Sequence, residues 1–290
     1  MKVYVNGKYY DKDAAVISVY DHGLLYGDGI FEGIRIYNNV IFKLRKHIER
    51  LFASAKAVSL DIGKTPAEII SLVKEVVALN NKENGYIRLI VTRGKGDLGV
   101  DPSSCKEAGV IIIADDISVF DKSMYENGIG IGISSYRRVP SEVFDPRIKS
   151  LNYLNNVLAK IEATQLGYKE ALMLNMHGEI TECTGDNIFI VKDNLICTPP
   201  VSAGVLEGVT RDFVLEELAS LLNLNVFEKT LKVYDILTAD ECFLTGTAVE
   251  IMPVTELSGA KIGEGKPGNV TKKLINKFYE VLEQFKDKAA

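Results

Sequence analysis

The chain opens on a run of alternating side chains, Val3-Tyr4-Val5 and then Lys8-Tyr9-Tyr10, broken by Asn6-Gly7. Asn-Gly between two such runs predicts a β-hairpin, because both residues tolerate the positive φ of a two-residue turn whose twist suits the strands. A second tight turn is predicted near Asn38-Asn39. The pattern then changes period: Leu44, Ile48, Leu51, Phe52 and Ala55 recur at helical spacing. Thr65-Pro66-Ala67-Glu68 reads as a capping box with proline at the first helical position, opening a helix that carries Ile69, Val73, Val76 and Leu79. Strands are predicted at Tyr86–Arg93 and Val110–Ala114, which makes the first part α+β.

Asp115–Asn127 is polar and shows little periodicity, and a boundary is drawn there: a small α+β domain over 1–117, a linker over 118–127 and a larger domain over 128–290. The second part predicts a strand at Ile129–Ser134 and a helix with Leu154, Val157, Leu158 and Ile161 in register. A hairpin turning at Met176-His177-Gly178 and a strand at Asn187–Val191 follow. Beyond them come a helix at Arg211–Leu222, a strand at Cys242–Leu244 and a final helix aligning Leu274, Phe278 and Leu282.

Composition narrows the classes. Of 290 residues, 47% are hydrophobic, enough for one large or two ordinary cores. A net charge of −5 with interspersed signs argues against a nucleic-acid partner. The N-terminus lacks the apolar core of a signal peptide and no run approaches membrane-spanning length, so a cytoplasmic location is expected. Cys105, Cys183, Cys197 and Cys242 are scattered and read as reduced thiols. His22, His47 and His177 are too dispersed for a metal cluster, so no metal is expected.

Candidate chemistry sits at a few places. Gly94-Lys95-Gly96-Asp97-Leu98-Gly99 has dinucleotide-loop spacing, but no helix follows to aim a dipole at a pyrophosphate, so it is read as a flexible glycine loop. Glu207-Gly208-Val209-Thr210 precedes the Arg211–Leu222 helix, with Thr210 read as its N-cap. Unpaired N–H groups there suit an anion, although a plain capped helix fits the same residues. Gly246-Thr247-Ala248 is a turn of small residues that could cradle a second anion.

Alternation puts Tyr86 and Arg88 on one strand face and Phe31, Gly33 and Arg35 on another, the glycine leaving room between larger side chains. Lys149 stands just before the helix carrying Leu154. Glu182 lies two residues after Ile180 on an inward face, and a buried carboxylate there needs a cationic partner.

In order along the chain, Tyr26-Gly27-Asp28-Gly29-Ile30-Phe31-Glu32-Gly33-Ile34-Arg35, His47-Ile48-Glu49-Arg50-Leu51, Tyr86-Ile87-Arg88, Lys149 to Tyr153, Glu182 to Phe189, Gly208-Val209-Thr210-Arg211 and Gly246-Thr247-Ala248-Val249-Glu250 resemble the class IV pyridoxal-phosphate aminotransferases, in particular the branched-chain amino acid aminotransferases. The resemblance covers nearly the whole chain. It implies an α/β fold of type IV, an α+β small domain plus a larger pseudo-barrel domain, with pyridoxal 5′-phosphate at their junction.

Carried over residue by residue, Lys149 would hold the cofactor, be displaced by the substrate amine and shuttle the proton between Cα and the cofactor's C4′. Glu182 would pair with the pyridine nitrogen and Tyr153 with the phenolic oxygen. Arg50, Val209, Thr210 and Thr247 would bind the phosphate, with Leu206 and Gly208 completing the cofactor set. Periodicity dissents on Arg50, which lies roughly 140° from the centre of its helix's apolar stripe and should face solvent.

Tyr86 and the amides of Thr247 and Ala248 would take the substrate α-carboxylate. Tyr26, Phe31 and Gly33, with Arg35 on the same strand face, would form the side-chain pocket, and Arg88 would receive the distal carboxylate of glutamate. Leu98 and Val100 from a neighbouring subunit would complete the pocket, so a homodimer is the minimum assembly. The implied reaction is ping-pong amino transfer from L-leucine, L-isoleucine and L-valine to 2-oxoglutarate. D-amino acid transaminase, aminodeoxychorismate lyase and a catalytically silent binding protein are the alternatives.

Overall fold

A computed structural model describes residues 1–117 and 120–284. The first two residues of the expected linker and the last six of the expected larger domain lie outside them. The chain separates into two compact units, the first comprising Met1–Ile117 together with Ile148–Asn152, the second the remaining described residues.

In the first unit, β1 (Lys2–Val5) and β2 (Lys8–Asp11) form the expected hairpin, with Asn6 and Gly7 at φ 48° and 88°. A short helix that the hydrophobic pattern did not announce, α1 (His22–Tyr26), is capped by the Asp21 side chain accepting from the Gly23 amide. It leads into β3 (Gly29–Tyr37), which turns through Asn38 and Asn39, both at positive φ, into β4 (Val40–Ile41). Helices α2 (Leu44–Ala57) and α3 (Pro66–Leu79) follow, the latter with both halves of its Thr65/Glu68 capping box formed. With β5 (Gly85–Thr92) and β6 (Gly109–Asp115) they complete an antiparallel sheet in the order β2-β1-β6-β5-β3-β4.

One face of this sheet meets the helices. Ile30, Ile34 and Ile36 of β3, with Ile87 and Leu89 of β5, pack against Ile48 and Leu51 of α2 and Ile69 and Val73 of α3. Burying each such side chain stabilises the fold by roughly 1.5–3 kcal/mol. The core accordingly reserves one face of β3 for apolar contact, and Glu32 is the carboxylate placed in that row.

The second unit begins with α4 (Lys122–Asn127), inside the stretch expected to be irregular. Met124 and Tyr125, packed against the unit's core, supply the apolar contact that makes six polar-rich residues helical. Next come β7 (Ile129–Arg137), α5 (Leu154–Gln165), β8 (Glu170–Leu174), β9 (Ile180–Cys183), β10 (Asn187–Lys192) and β11 (Leu195–Thr198). α6 (Val209–Phe213) runs through a π-helical turn at Val214–Leu218 into α7 (Ala219–Leu221). β12 (Asn225–Glu228), α8 (Val233–Leu237), β13 (Glu241–Gly246), β14 (Glu250–Leu257), β15 (Ala260–Lys261) and α9 (Asn269–Glu283) finish the unit.

Its mixed sheet runs β12-β11-β10-β13-β14-β7-β8-β9, with β15 on β14. Parallel pairs β14/β7 and β7/β8 sit beside antiparallel ones, and both faces of β10 are buried: Ile188 and Ile190 on one side, Phe189 stacked on Phe243 at 4.9 Å on the other. That is why this strand reads as a continuous apolar run.

Two helix expectations are corrected. The apolar stripe that placed α5 faces mostly outward: Leu154 is 70% exposed, Val157 and Ile161 are also exposed, and only Leu158 is half-buried. The helix is seated instead by Asn156, Ala159 and Ala163, small or hydrogen-bonded residues that allow close approach to the sheet. The helix predicted from Arg211 starts at Val209. Its N-cap is Gly208, in extended conformation, and Thr210 lies buried in the first turn. A β-carbon at Gly208 would overlap the Asn187 side chain, so glycine is what lets the backbone pass this close to it.

Candidate active site

Lys149 is delivered by the excursion Ile148–Asn152, which lies along β3 in strand-like fashion. Phe31 donates its amide to the Lys149 carbonyl at 2.9 Å, and Leu151 donates to Gly29 at 2.9 Å. With β5 occupying one edge of β3, this segment takes the edge that β4 uses further along. The Lys149 amide also donates to the Ser54 hydroxyl of α2 at 3.2 Å. Backbone on both sides of the lysine is thus pinned, while its amine lies 4.7 Å from the Phe31 ring centroid.

The same face of β3 and β5 gathers the aromatic and cationic residues expected from alternation. Arg88 stands 4.7 Å over Phe31 and 5.4 Å from the Tyr86 ring centroid, and Arg35 stands 5.2 Å over Tyr37. The space left by Gly33 is taken by the Tyr86 hydroxyl, reaching diagonally across from its partner position opposite Arg35. A methyl group at Gly33 would overlap it. A phenol and a guanidinium, fixed over aromatic rings beside a lysine, can hold a carboxylate and leave an apolar surface alongside.

The opposite face of β3 corrects the periodicity argument about Arg50. Its side chain is only 13% exposed, because Glu32 draws it inward: Nε donates to Oε1 at 2.8 Å and Nη2 to Oε2 at 2.7 Å. His47, one turn earlier on α2, approaches Glu32 Oε2 through Nδ1 at 2.8 Å. Burial alone would raise the Glu32 carboxyl, but the Arg50 charge, its hydrogen bonds and that from His47 outweigh burial and hold it at about 2. Burial lowers the His47 pKa despite the carboxylate, with the Arg50 and Lys149 charges adding to that. The group is therefore an ionised Glu32 between a charged Arg50 and a neutral His47 that donates from Nδ1.

In the second unit Glu182 is buried on β9, as its spacing from Ile180 predicted, and the cationic partner it requires is Arg138, whose Nη2 lies 2.6 Å from Oε1. Oε2 accepts from Asn187 Nδ2 and from the Leu206 amide, both at 3.0 Å. Asn156 secures the arginine by accepting from its Nη1 at 3.0 Å and donating to the Thr184 carbonyl at 2.7 Å. Tyr153 is the N-cap of α5. At the start of α6 the helical ladder begins with Asp212 donating to the Gly208 carbonyl at 2.8 Å, so the amides of Val209, Thr210 and Arg211 lie ahead of it. Thr247 and Ala248 occupy the turn between β13 and β14.

The glycine loop is tied down where it was expected to be flexible. Gly96 donates to the Tyr20 carbonyl at 3.1 Å, His22 Nε2 meets the Asp97 carbonyl at 2.8 Å, and the Tyr26 hydroxyl donates to the Leu98 carbonyl. Beyond these ties the loop presents Leu98 and Val100 outward, the latter 78% exposed. Glu32, His47, Ser54, Arg138 and Asn156 were not picked out for the site. Glu32 had a signal: a carboxylate in the apolar row Ile30, Ile34, Ile36 needs a cation from the helix packed on it. Arg138 had none.

A model of the amino-transferase class IV family matches residues 29–257. A protein of Methanocaldococcus jannaschii, provisionally named a branched-chain-amino-acid aminotransferase, is 49% identical over 281 residues, covering 97% of this chain and 96% of that one. A D-alanine aminotransferase of Bacillus licheniformis is 36% identical over 94% of each chain. The crystal structure of the Escherichia coli branched-chain amino acid aminotransferase is similar at a TM-score of 0.94 and 34% identity, over 97% of this chain and 94% of that one. The T.th. branched-chain amino acid aminotransferase, solved with pyridoxamine 5′-phosphate, is similar at 0.92 and 34%, over 97% and 93%.

The chain belongs to the class IV aminotransferase family. It is a transaminase of α/β fold, as the sequence resemblance implied, and its cofactor is pyridoxal 5′-phosphate. Each unit carries groups that fit it: in the first, a guanidinium fixed by a buried carboxylate would suit a phosphate and Lys149 would offer an amine, and in the second, amides ahead of a helix would suit a phosphate and a buried carboxylate a protonated ring nitrogen.

Proposed function

We propose that this chain moves the amino group of L-leucine, L-isoleucine and L-valine to 2-oxoglutarate in two half-reactions, giving the branched 2-oxo acids and L-glutamate. The observation that carries the reading is the β3/β5 face, where Phe31, Gly33, Tyr86 and Arg88 are assembled beside Lys149. Apolar surface and cationic charge on one face suit an aliphatic side chain in one half-reaction and a distal carboxylate in the other. The branched-chain names of relatives over nearly the whole chain support the same choice.

Pyridoxal 5′-phosphate, when bound, supplies the electron sink that makes the substrate's Cα–H acidic. Lys149 Nζ would hold the cofactor and would take the proton from the substrate's Cα. Glu182 keeps a proton on the ring nitrogen, with Arg138, Asn187 and the Leu206 amide holding the carboxylate in place. Tyr153 donates to the phenolic oxygen. Arg50, the amides of Val209 and Thr210, and Thr247 grip the phosphate, while Leu206 and Gly208 complete the cofactor set.

Tyr86, with the Thr247 and Ala248 amides, orients the α-carboxylate. Tyr26, Phe31, Gly33 and Arg35 shape the pocket for the side chain, and Arg88 takes the second carboxylate of glutamate. A homodimer is the working unit, with Leu98 and Val100 of the partner subunit closing the pocket. The outward setting of these two apolar side chains in the single chain supports that arrangement. Among the described residues no helix is long and apolar enough to cross a membrane.

Initial rates for a panel of L-amino acids with 2-oxoglutarate test the reading. Leucine, isoleucine and valine should lead, the purified protein should be yellow, and borohydride should fix the label on the Lys149 peptide. Lys149→Ala should abolish turnover. Faster turnover of D-glutamate than of its L-isomer, as the likeness to D-alanine aminotransferase would have it, or pyruvate release from aminodeoxychorismate, would replace the substrate assignment. A protein that stays colourless after reconstitution would remove the cofactor roles altogether.

A further inference from the structure

Glu32 and His47 take no part in the chemistry described so far, yet they form a fully buried polar group in the first unit's core, at 0% and 1% side-chain exposure. A carboxylate and an imidazole are costly there unless each is satisfied, and aliphatic residues of similar size would pack between β3 and α2 at least as well. What the polar set achieves is geometric. Glu32 grips Arg50 on two donors, Nε and Nη2, at 2.8 and 2.7 Å, so the guanidinium plane has one orientation. His47 then holds Glu32 from the preceding turn of the same helix, 2.8 Å from the oxygen that also takes Arg50 Nη2. The carboxylate is therefore held by three contacts, two from Arg50 and one from His47.

We propose that Glu32, backed by His47, is a positioning residue: it sets the plane of the Arg50 guanidinium and thereby governs how tightly the chain holds the phosphate of its cofactor. This rests on the assignment of Arg50 to the phosphate. A bidentate grip along the Nε–Nη2 edge fixes the directions of the three N–H donors that it does not use, and an oxyanion is bound more tightly by donors already in place than by a side chain that must be ordered on binding. A purely structural pin between β3 and α2 would show the same distances. The two roles differ in whether removing the pin discriminates between ligands with and without a phosphate.

The test is an affinity comparison on the full-length chain stripped of cofactor, titrated with pyridoxal 5′-phosphate and separately with pyridoxal. Glu32→Gln should weaken the phosphate-bearing ligand about tenfold or more, as removal of an orienting partner commonly does, and leave pyridoxal within about twofold. Glu32→Asp, which keeps the charge, should fall between Glu32→Gln and the parent. The Glu32→Gln/Arg50→Gln double variant should bind the phosphate-bearing ligand no more weakly than Arg50→Gln alone, because Glu32 acts through that arginine.

Equal weakening of both ligands, or of neither, overturns the proposal. If Arg50→Gln itself leaves the two affinities unchanged, the phosphate assignment is at fault and takes the proposal with it. If Arg50→Gln is selective and Glu32→Gln is not, only the positioning role fails. Should Glu32→Gln not fold, Glu32→Asp carries the same comparison, with selective weakening expected and its absence decisive.

Discussion

Glu32 and Glu182 are two answers to one physical problem, a carboxylate on a buried strand face. Glu32 sits on β3 and is satisfied by Arg50 and His47 of α2, the helix that follows β3 and β4 in the chain. Glu182 sits on β9 and is satisfied by Arg138 just beyond β7, Asn187 on β10 and the backbone of Leu206. One is a strand and its neighbouring helix closing on themselves. The other is collected from three separate stretches of chain. The difference teaches that a buried charge can be locally encoded or assembled by topology, and that its partner is foreseeable only in the first case.

Substitutions should separate the two by the kind of loss they cause. Glu182→Gln should lower kcat by about 100-fold or more even with cofactor in excess, the scale on which losing an electrostatic partner of developing charge is felt. Glu32→Gln under the same conditions should cost at least tenfold less in rate, with its effect concentrated in cofactor affinity. Parallel kcat losses would erase the contrast. Truncation to alanine strands a half-buried arginine in each case, which should cost somewhat less than the roughly 3–5 kcal/mol of breaking a fully buried pair. Glu32→Ala should be the more damaging in urea unfolding, since the Glu32 side chain is 0% exposed against 7% for Glu182, and the reverse order would count against the reading of Glu32 as the deeper charge.

Acid should probe the Glu32 group in two stages. His47 is neutral in the fold with a pKa below its ordinary 6.5, so the unfolded chain takes up that proton first and stability declines as pH falls below about 6.5. The Glu32 carboxyl, ordinarily 4.5 and held at about 2, contributes stability that is complete above 4.5 and lost as pH falls toward 2. Unfolding measured against pH should show the upper stage vanish in His47→Gln, and an unchanged profile would contradict the neutral histidine.

The smallest effect is expected on the other face of β3. Gly33→Ala should displace only the far end of Tyr86, changing stability by less than about 1 kcal/mol while raising KM for amino-acid substrates. An unaltered KM would mean that the tyrosine's position over the glycine does not matter.

Much of this architecture is legible in local pattern. The hairpins at Asn6-Gly7 and Asn38-Asn39, the capping box at Thr65 and the inward face of Glu182 follow from short-range rules, since positive φ, orphan amides and strand alternation involve a few neighbouring residues. The residues proposed for the site come from ordered motifs more than from pattern. Periodicity placed Arg50 in solvent because it counts apolar positions and is blind to a carboxylate waiting on the adjacent strand. It likewise turned α5 the wrong way, its best apolar stripe being mostly exposed while Asn156, Ala159 and Ala163 seat the helix.

By itself the sequence determined the strands and helices whose signals are local and the family to which the chain belongs, and it offered through that family's motifs the lysine, glutamate and glycine turns proposed for the site. Tertiary structure alone decided that residues 148–152 leave their sequence neighbours to run along β3, that Arg138 answers Glu182, and that the phenol of Tyr86 occupies the space over Gly33. The physical reason is range. Backbone conformation and capping are settled within a turn or two of chain, whereas the partner of a buried charge and the neighbour of a glycine are settled by which distant segments the sheets bring side by side.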